Sequence, residues 1–309
     1  MDKSEWIWMN GELVPWDNAN VHVLSHGLHY GTGVFEGIRA YETDRGTAVF
    51  RHQDHLKRLQ KSAELYYMKL PYSPEELRAA THQLIRRNGL ESCYIRPIAF
   101  RGYGEMGLYA QGAPVDVAIA VWTWGAYLGE QGKREGVRAK ISTWRRISPD
   151  SLITQAKASG HYLNSILAKI ETAHEGYEEA IMLDHAGMVG EASGENIFIV
   201  RDGVIATPAP GAVLDGITRK TVLQIAGDLG YEVQERSIGP SELVLAEEVF
   251  LTGTAAELVP VREVDDHVVG EPGEITRQIQ AKLDDALHGR APEYLEWLDL
   301  VEQPSKVSG

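Results

Sequence analysis

The chain has 309 residues, suggests about two domains, and is 43% apolar and 24% charged, ordinary globular material with enough length for real cores. Its net charge of −14 excludes a nucleic-acid or anionic-membrane surface as the main partner, though one local basic pocket remains compatible with an acidic small molecule. The single cysteine, Cys93, leaves no internal disulfide and fits a reducing cytoplasm; no signal peptide and no run of about 20 apolar residues is expected.

Residues 5–16 read as a hairpin around Asn10-Gly11, followed by strands in GVFEGIRAYET (33–43) and TAVFR (47–51). Helical spacing begins at His52 and runs to Lys69. Ser73-Pro74-Glu75-Glu76 opens a second helix that stops at Asn88-Gly89. CYIRPIAFRGY and VDVAIAVWTW are two more strands, and the Gly-rich, charged GAYLGEQGKREG (125–136) reads as an interdomain linker. A strand, VRAKISTWRR, and a loop carrying Lys157 precede a helix with Leu163, Ile166, Leu167, Ile170 and Ala173 at helical spacing. EAIMLD and NIFIV flank a turn-rich segment with Glu191, Gly216-Ile217-Thr218 opens a helix to Gly230, a strand at 248–252 ends in TGTAAE, and a helix lies near 273–288. Strands and helices without a βαβ rhythm predict α+β organisation. The expected division is 1–124, a small domain; 125–136, the linker; and 137–309, a large domain.

RGYGEMG contains Gly102, Gly104 and Gly107 in dinucleotide-fingerprint spacing, but no helical period follows, so the stretch reads as a loop. His22, His26 and His29 sit where Gly27 and Gly31 break any helix and no HExxH exists, which favours structural histidines over a metal site. Lys157 in TQAKASGHYLNS has small neighbours, as a reactive amine needs, whereas an ordinary surface lysine does not. Pyridoxal phosphate requires such a lysine, an acid at its ring nitrogen, phosphate donors and a partner for its ring hydroxyl. Glu191, the Gly216-Ile217-Thr218 helix start, Thr252-Gly253-Thr254 and Arg58 supply candidates, each with a bland alternative as turn, cap or surface charge.

At these residues the chain resembles the fold-type IV pyridoxal-phosphate enzymes, specifically the branched-chain amino acid aminotransferases. The likeness runs from HGLHYGTGVFEGIRAY to GTAAELVPVREVD, and the segment from Glu191 through ENIF to GITRK follows the class signature position by position. It implies a D-amino acid aminotransferase-like fold, with a smaller N-terminal α/β domain, a larger domain with a β-barrel-like core, and the cofactor, pyridoxal 5′-phosphate, between them. By the same resemblance Lys157 is the Schiff-base lysine, Glu191 holds the pyridine N–H and Tyr162 the ring hydroxyl. Arg58, Ile217, Thr218 and Thr254 hold the phosphate. Tyr94 and the backbone of Thr254 and Ala255 meet the substrate carboxylate, and Arg96 with Tyr30 and Tyr127 takes the distal carboxylate of glutamate. Phe35, Tyr30, Trp124, Tyr127 and Tyr162 wall an aliphatic side chain. Tyr30 and the loop at Met106 and Leu108 would come from a second subunit, in an obligate homodimer or a hexamer built as a trimer of dimers. The implied reaction is transamination of leucine, isoleucine and valine with 2-oxoglutarate. D-amino acid or (R)-amine transaminases and aminodeoxychorismate lyases share Lys157 and Glu191, and a catalytically silent ligand-binding protein is the alternative from another class. One departure is His161, where the family more often carries asparagine.

Overall fold

The structure is a computed structural model that describes residues 2–301 apart from 126 and 212; the end of the expected large domain, 302–309, lies outside the described residues. The chain divides into two compact units, the first comprising residues up to Trp124, Lys157–Gly160 and the segment from Asp285 onward, the second Gly125–Ala156 and His161–Asp284.

The first unit begins with β1 (Trp6–Met9) and β2 (Glu12–Pro15), joined by Asn10 and Gly11 at φ +49° and +96°, the two left-handed residues that an Asn-Gly hairpin turn requires. Then come α1 (His26–Tyr30), β3 (Gly33–Phe35), β4 (Ile38–Thr43), β5 (Gly46–Phe50), α2 (His52–Leu65), α3 (Pro74–Asn88), β6 (Cys93–Arg101) and β7 (Val115–Trp122). A glycine at 27 does not prevent α1, contrary to the sequence expectation; five residues tolerate it, and Gly31 at φ +68° terminates the turn. α2 ends at Leu65 rather than Lys69 because Tyr67 turns left-handed at φ +55°. α3 carries a capping box, Ser73 Oγ accepting from Glu76 N–H at 3.2 Å and Glu76 Oε2 from Ser73 N–H at 2.7 Å.

The expected strand 33–43 is interrupted at Glu36-Gly37, where β3 leaves and β4 begins, both pairing antiparallel with β6. On β6 the period of two sends Cys93, Ile95 and Ala99 into the core, packed against Val117, Ile119 and Val121 of β7, Leu56 and Leu59 of α2, and Leu84 and Ile85 of α3. Tyr94 and Arg96 therefore occupy the opposite face, with Tyr94 registered on Trp122.

The second unit contains α4 (Gly129–Glu135), β8 (Val137–Ile141), α5 (Tyr162–His174), β9 (Glu179–Leu183), β10 (Val189–Ala192), β11 (Asn196–Arg201), β12 (Val204–Thr207), α6 (Ile217–Asp228), β13 (Val233–Glu235), α7 (Pro240–Leu245), β14 (Glu248–Gly253), β15 (Glu257–Val264), β16 (His267–Val268) and α8 (Glu274–Leu287). Its sheet runs β10-β9-β8-β15-β14-β11-β12-β13, with β16 on β15. β8 is parallel to both β9 and β15, and β12 is parallel to β13. The segment 125–136 is partly helical, as α4, and Gly136 closes it at φ +87°.

α5 forms where its apolar spacing indicates, yet the spaced residues do not enter the core. Leu163, Ile166, Leu167 and Ile170 are 68%, 49%, 44% and 49% exposed. The face of α5 that is buried carries Ser165, Ala168 and Thr172, small residues that let the helix lie close to the sheet, with Ala168 against Ala180 and Met182. The last strand, β17 (Leu298–Leu300), pairs with β5 at the edge of the first unit's sheet, whose order is β17-β5-β4-β6-β7-β1-β2 with β3 on β6.

Candidate active site

In the first unit, Lys157 is held by its backbone. Its N–H donates to Ser62 Oγ at 3.0 Å, and its carbonyl accepts from Phe35 N–H at 3.0 Å. One residue on, Ala158 bridges Val34. The lysine thus lies along β3, and its ammonium is 5.3 Å from the centre of the Phe35 ring. The small residues around it also serve close packing: a Cβ on Gly31 would stand 3.1 Å from Gly160 Cα.

The Arg96 guanidinium is 4.7 Å from the Phe35 ring and 5.2 Å from that of Tyr94, and its Nη2 donates to the Tyr94 hydroxyl at 3.0 Å. Trp124 meets Tyr94 edge-on at 4.6 Å, and Trp122 lies 4.9 Å from Tyr94. Five expected site residues, Lys157, Phe35, Tyr94, Arg96 and Trp124, therefore form one contiguous group of two cations among aromatic rings. Gly37 makes room for it, since a Cβ there would lie 2.0 Å from the Tyr94 hydroxyl.

Arg58 is bound to Glu36, a residue absent from the sequence-derived set. Nε donates to Oε1 at 2.7 Å and Nη2 to Oε2 at 2.9 Å, and His55 Nδ1 is 2.7 Å from Oε2. Glu36 is fully buried. Burial would raise its carboxyl, but the charges and hydrogen bonds of Arg58 and His55 hold it well below the usual carboxylate range. Burial lowers His55, helped by the charges of Arg58 and Lys157 and opposed by Glu36, and its Nδ1–H donates to the carboxylate. Tyr30 closes α1, 46% exposed, with its ring 4.5 Å from that of His26. Both ring nitrogens of His26 are engaged by the protein, with Thr32 Oγ1 and Gly107 O each at 2.7 Å. Met106 and Leu108 lie on the exposed loop after β6, where the Gly102–Gly107 stretch forms no helix.

In the second unit, Glu191 stands on β10, a short strand rather than the turn expected, just after a register shift against β9 that re-aims its side chain. Arg146 Nε lies 2.7 Å from Glu191 Oε1, a charge contact without hydrogen-bond alignment. Oε2 accepts from Leu214 N–H at 3.1 Å and Asn196 Nδ2 at 3.3 Å. Asn196 also binds Leu214 O, and a Cβ on Gly216 would collide with Asn196 Oδ1 at 2.0 Å. The carboxylate and the start of α6 are thereby built as one piece. α6 begins at Ile217 and Thr218 behind Gly216 with no side-chain cap, so its first-turn N–H groups are available to an anion. Thr254 and Ala255 form the turn between β14 and β15, and the Thr252 hydroxyl below them is buried without a hydrogen-bond partner. Tyr162 opens α5, and Tyr127 has Lys169 Nζ 5.7 Å from its ring centre. His161 is buried; burial and the Arg146 charge push it down to about 4, against a backbone hydrogen bond to Ala156.

Glu36, Arg146, Asn196 and Ser62 are not singled out by the sequence. An acid between Phe35 and Gly37 in the otherwise apolar GVFEGI (33–38) is the one available signal for Glu36. The other three depend on tertiary contacts.

The amino-transferase class IV family model matches residues 33–264. The chain belongs to that family. It is 47% identical to the branched-chain-amino-acid aminotransferase of Pseudomonas aeruginosa over 303 residues, covering 97% of this chain and 99% of that protein. The Escherichia coli K12 enzyme of the same name is 46% identical over 305 residues, at 97% and 99% coverage. The solved T.th. branched-chain amino acid aminotransferase with pyridoxamine 5′-phosphate superposes with a TM-score of 0.95 at 47% identity, over 98% of this chain and 100% of that one. The fold is accordingly that of the class IV aminotransferases.

Proposed function

We infer that this chain is a pyridoxal 5′-phosphate-dependent aminotransferase that moves an amino group between branched-chain L-amino acids (leucine, isoleucine, valine) and 2-oxoglutarate. The observation that carries the substrate side is Arg96 set against Phe35 and Tyr94. An aliphatic side chain packs on the rings and stops short of the guanidinium, while a glutamate side chain reaches it, so one pocket serves both partners.

The residues fit the cofactor. A buried carboxylate suited to a ring N–H is present in Glu191, the uncapped start of α6 suits a phosphate, and Lys157 is clamped at its backbone. When bound, the cofactor supplies an electron sink for charge developing at the substrate Cα. Lys157 would hold it through its amine and, once free, would carry the substrate's Cα proton. Glu191 keeps a proton on the ring nitrogen, backed by Arg146, and Tyr162 takes the ring hydroxyl. Arg58, the N–H groups of Ile217 and Thr218, and Thr254 hold the phosphate. Tyr94 and the backbone of Thr254 and Ala255 receive the α-carboxylate. Arg96, with Tyr30 and Tyr127, receives the distal carboxylate, and Phe35, Trp124, Tyr127 and Tyr162 line the apolar wall.

The functional molecule in this reading is a cytoplasmic homodimer or a hexamer of three dimers, built of a small domain to residue 124, a linker and a large domain from 137. A second copy accounts for the exposed apolar stripe of α5 and for exposed Tyr30, and the buried free thiol of Cys93 fits a reducing compartment. Among the described residues no helix is long and apolar enough to cross a membrane.

The test is to follow the protein's near-ultraviolet and visible spectrum as L-leucine, and then 2-oxoglutarate, are added. Conversion by the first and return by the second support the reading; a spectrum that responds only to D-alanine or to an amine refutes the substrate assignment. Arg96→Leu should lower kcat/KM for 2-oxoglutarate about tenfold or more while largely sparing leucine.

A further inference from the structure

Four consecutive residues, Val34 to Gly37, each engage a different candidate site residue or its neighbour in the first unit. Val34 bridges Ala158 beside the lysine, and Phe35 N–H donates to Lys157 O. Glu36 binds Arg58, and Gly37 leaves the space that the Tyr94 hydroxyl fills. Glu36 N–H donates to Pro97 O at 2.9 Å, which fixes the backbone at the break between β3 and β4.

The carboxylate is the unexpected member. A strand segment in an apolar core has no folding need for a buried ion pair, and apolar replacements of such pairs are often neutral or stabilising. Glu36 nevertheless accepts two hydrogen bonds from Arg58 and a third from His55, all with 2.7–2.9 Å spacing. His55, Arg58 and Ser62 stand at i, i+3 and i+7 on α2, so one helix face orients both Arg58 and the Lys157 backbone. A guanidinium is a flat fork of five N–H groups; two donors fixed on Glu36 set its plane. They also remove the rotamer freedom that a long side chain would otherwise lose on binding.

We propose that Glu36 is a positioning residue for phosphate recognition, presetting the Arg58 guanidinium so that the cofactor's phosphate ester meets a fixed donor edge. This rests on the assignment of Arg58 to the phosphate. In Glu36→Gln one acceptor oxygen becomes an NH2 group facing the donors of Arg58 or His55, and the fork loses its fixed plane. Glu36→Asp keeps the charge but withdraws it by one methylene.

The experiment titrates pyridoxal 5′-phosphate, and separately pyridoxal without the phosphate, into the cofactor-free full chain and reads tryptophan fluorescence. Glu36→Gln should weaken the phosphorylated ligand about tenfold, as when the partner behind a metal ligand is removed, and leave pyridoxal unchanged. Glu36→Asp should fall between wild type and Gln, and it supplies the same ratio if the Gln protein does not fold. In an Arg58→Ala background, Glu36→Gln should cost nothing further. Equal losses for the two ligands, or a full additional loss in the Arg58→Ala background, would overturn the proposal. An Arg58→Ala protein with an unaltered ratio between the ligands would instead remove Arg58 from phosphate recognition, and the role of Glu36 with it.

Discussion

The two units hold comparable numbers of candidate site residues but position them by different means. In the first, the working groups are side chains: Lys157, Arg58, Arg96 and Tyr94, each aimed by another side chain or by a strand edge. In the second, most of the candidate anion donors are backbone N–H groups, at the start of α6 and in the turn after β14, and the principal side chain, Glu191, is itself fixed by a backbone N–H and an asparagine. Side-chain hardware can be removed one residue at a time. Backbone hardware can be disturbed only through the residues that shape it, as Gly216 does beside Asn196. Single substitutions in the first unit should therefore give separable defects, and those in the second should spread.

The largest separable effect expected is at Lys157. Lys157→Ala should lower the rate of amino transfer between leucine and 2-oxoglutarate by at least ~10²–10⁴-fold, the contribution of a positioned proton carrier. Its circular dichroism should be preserved, because the Lys157 interactions with Ser62 and Phe35 are made by the backbone. A protein that loses its fold along with its activity would contradict that separation.

Gly37→Ala comes next. A Cβ 2.0 Å from the Tyr94 hydroxyl must push Tyr94 aside, and Arg96, bonded to that hydroxyl, moves with it. Displacement on the scale of 1 Å costs about 10²-fold in turnover. The affinity for pyridoxal 5′-phosphate should stay close to wild type, since Arg58 and Glu36 are held independently. Loss of cofactor affinity equal to the loss of turnover would show that the 34–37 segment acts as one block.

Much of this organisation is legible in the sequence because it is local. Asn10-Gly11 announces its turn, Ser73-Pro74 its helix, and alternation along CYIRPIAFR puts Tyr94 and Arg96 on a common face. Lys157 and Glu191 are singled out by resemblance, since small neighbours alone describe many turns. What stays hidden is non-local. Glu36 meets Arg58 across 22 positions, and Glu191 reads as a turn residue because β10 has only four residues and a register shift. The spacing on α5 correctly indicates a helix but not which face is buried, because the small residues that allow close packing carry no hydrophobic signal. The C-terminal strand is equally hidden: the pairing of Leu298–Leu300 with β5 spans most of the chain.

That pairing provides a stability contrast within the first unit. Asp299 on β17 accepts from Arg78 Nε and His52 Nδ1, each at 2.8 Å, from His82 Nε2 at 3.0 Å, and from Arg78 Nη2. Burial would raise its carboxyl, but His52, His82 and Arg78 hold it far below the usual range. The three ligating atoms of His52, His82 and Asp299 are close enough for a metal ion, but both histidine N–H groups and the arginine already satisfy the carboxylate. Asp299→Asn turns an acceptor into a donor among donors and should cost about 1–3 kcal/mol of unfolding free energy. Urea titration at constant m-value measures it, with leucine turnover expected to remain near wild type. A large loss of turnover in the folded variant would mean that β17 supports the site rather than only the sheet edge.

The smallest effect expected belongs to the second unit and concerns His161. Its folded-state value of about 4 lies below the free imidazole value of 6.5, chiefly because it is buried and then because Arg146 is near. The unfolded chain therefore binds a proton that the folded chain refuses between those values. Stability contributed by neutral His161 is complete above pH 6.5 and is lost progressively as the pH falls toward 4. His161→Asn removes the titrating group, so its unfolding free energy should decline less steeply than wild type across that window and match it in shape above about pH 7. Because Arg146 also contacts Glu191, the same variant asks whether a charge arriving at 161 is felt at the Glu191 carboxylate. If cofactor affinity falls near pH 4, where folded His161 takes up its proton, in wild type but not in His161→Asn, the two are coupled through Arg146. If both fall alike, the support of Glu191 by Leu214 N–H and Asn196 is enough to isolate it, as backbone-built support should.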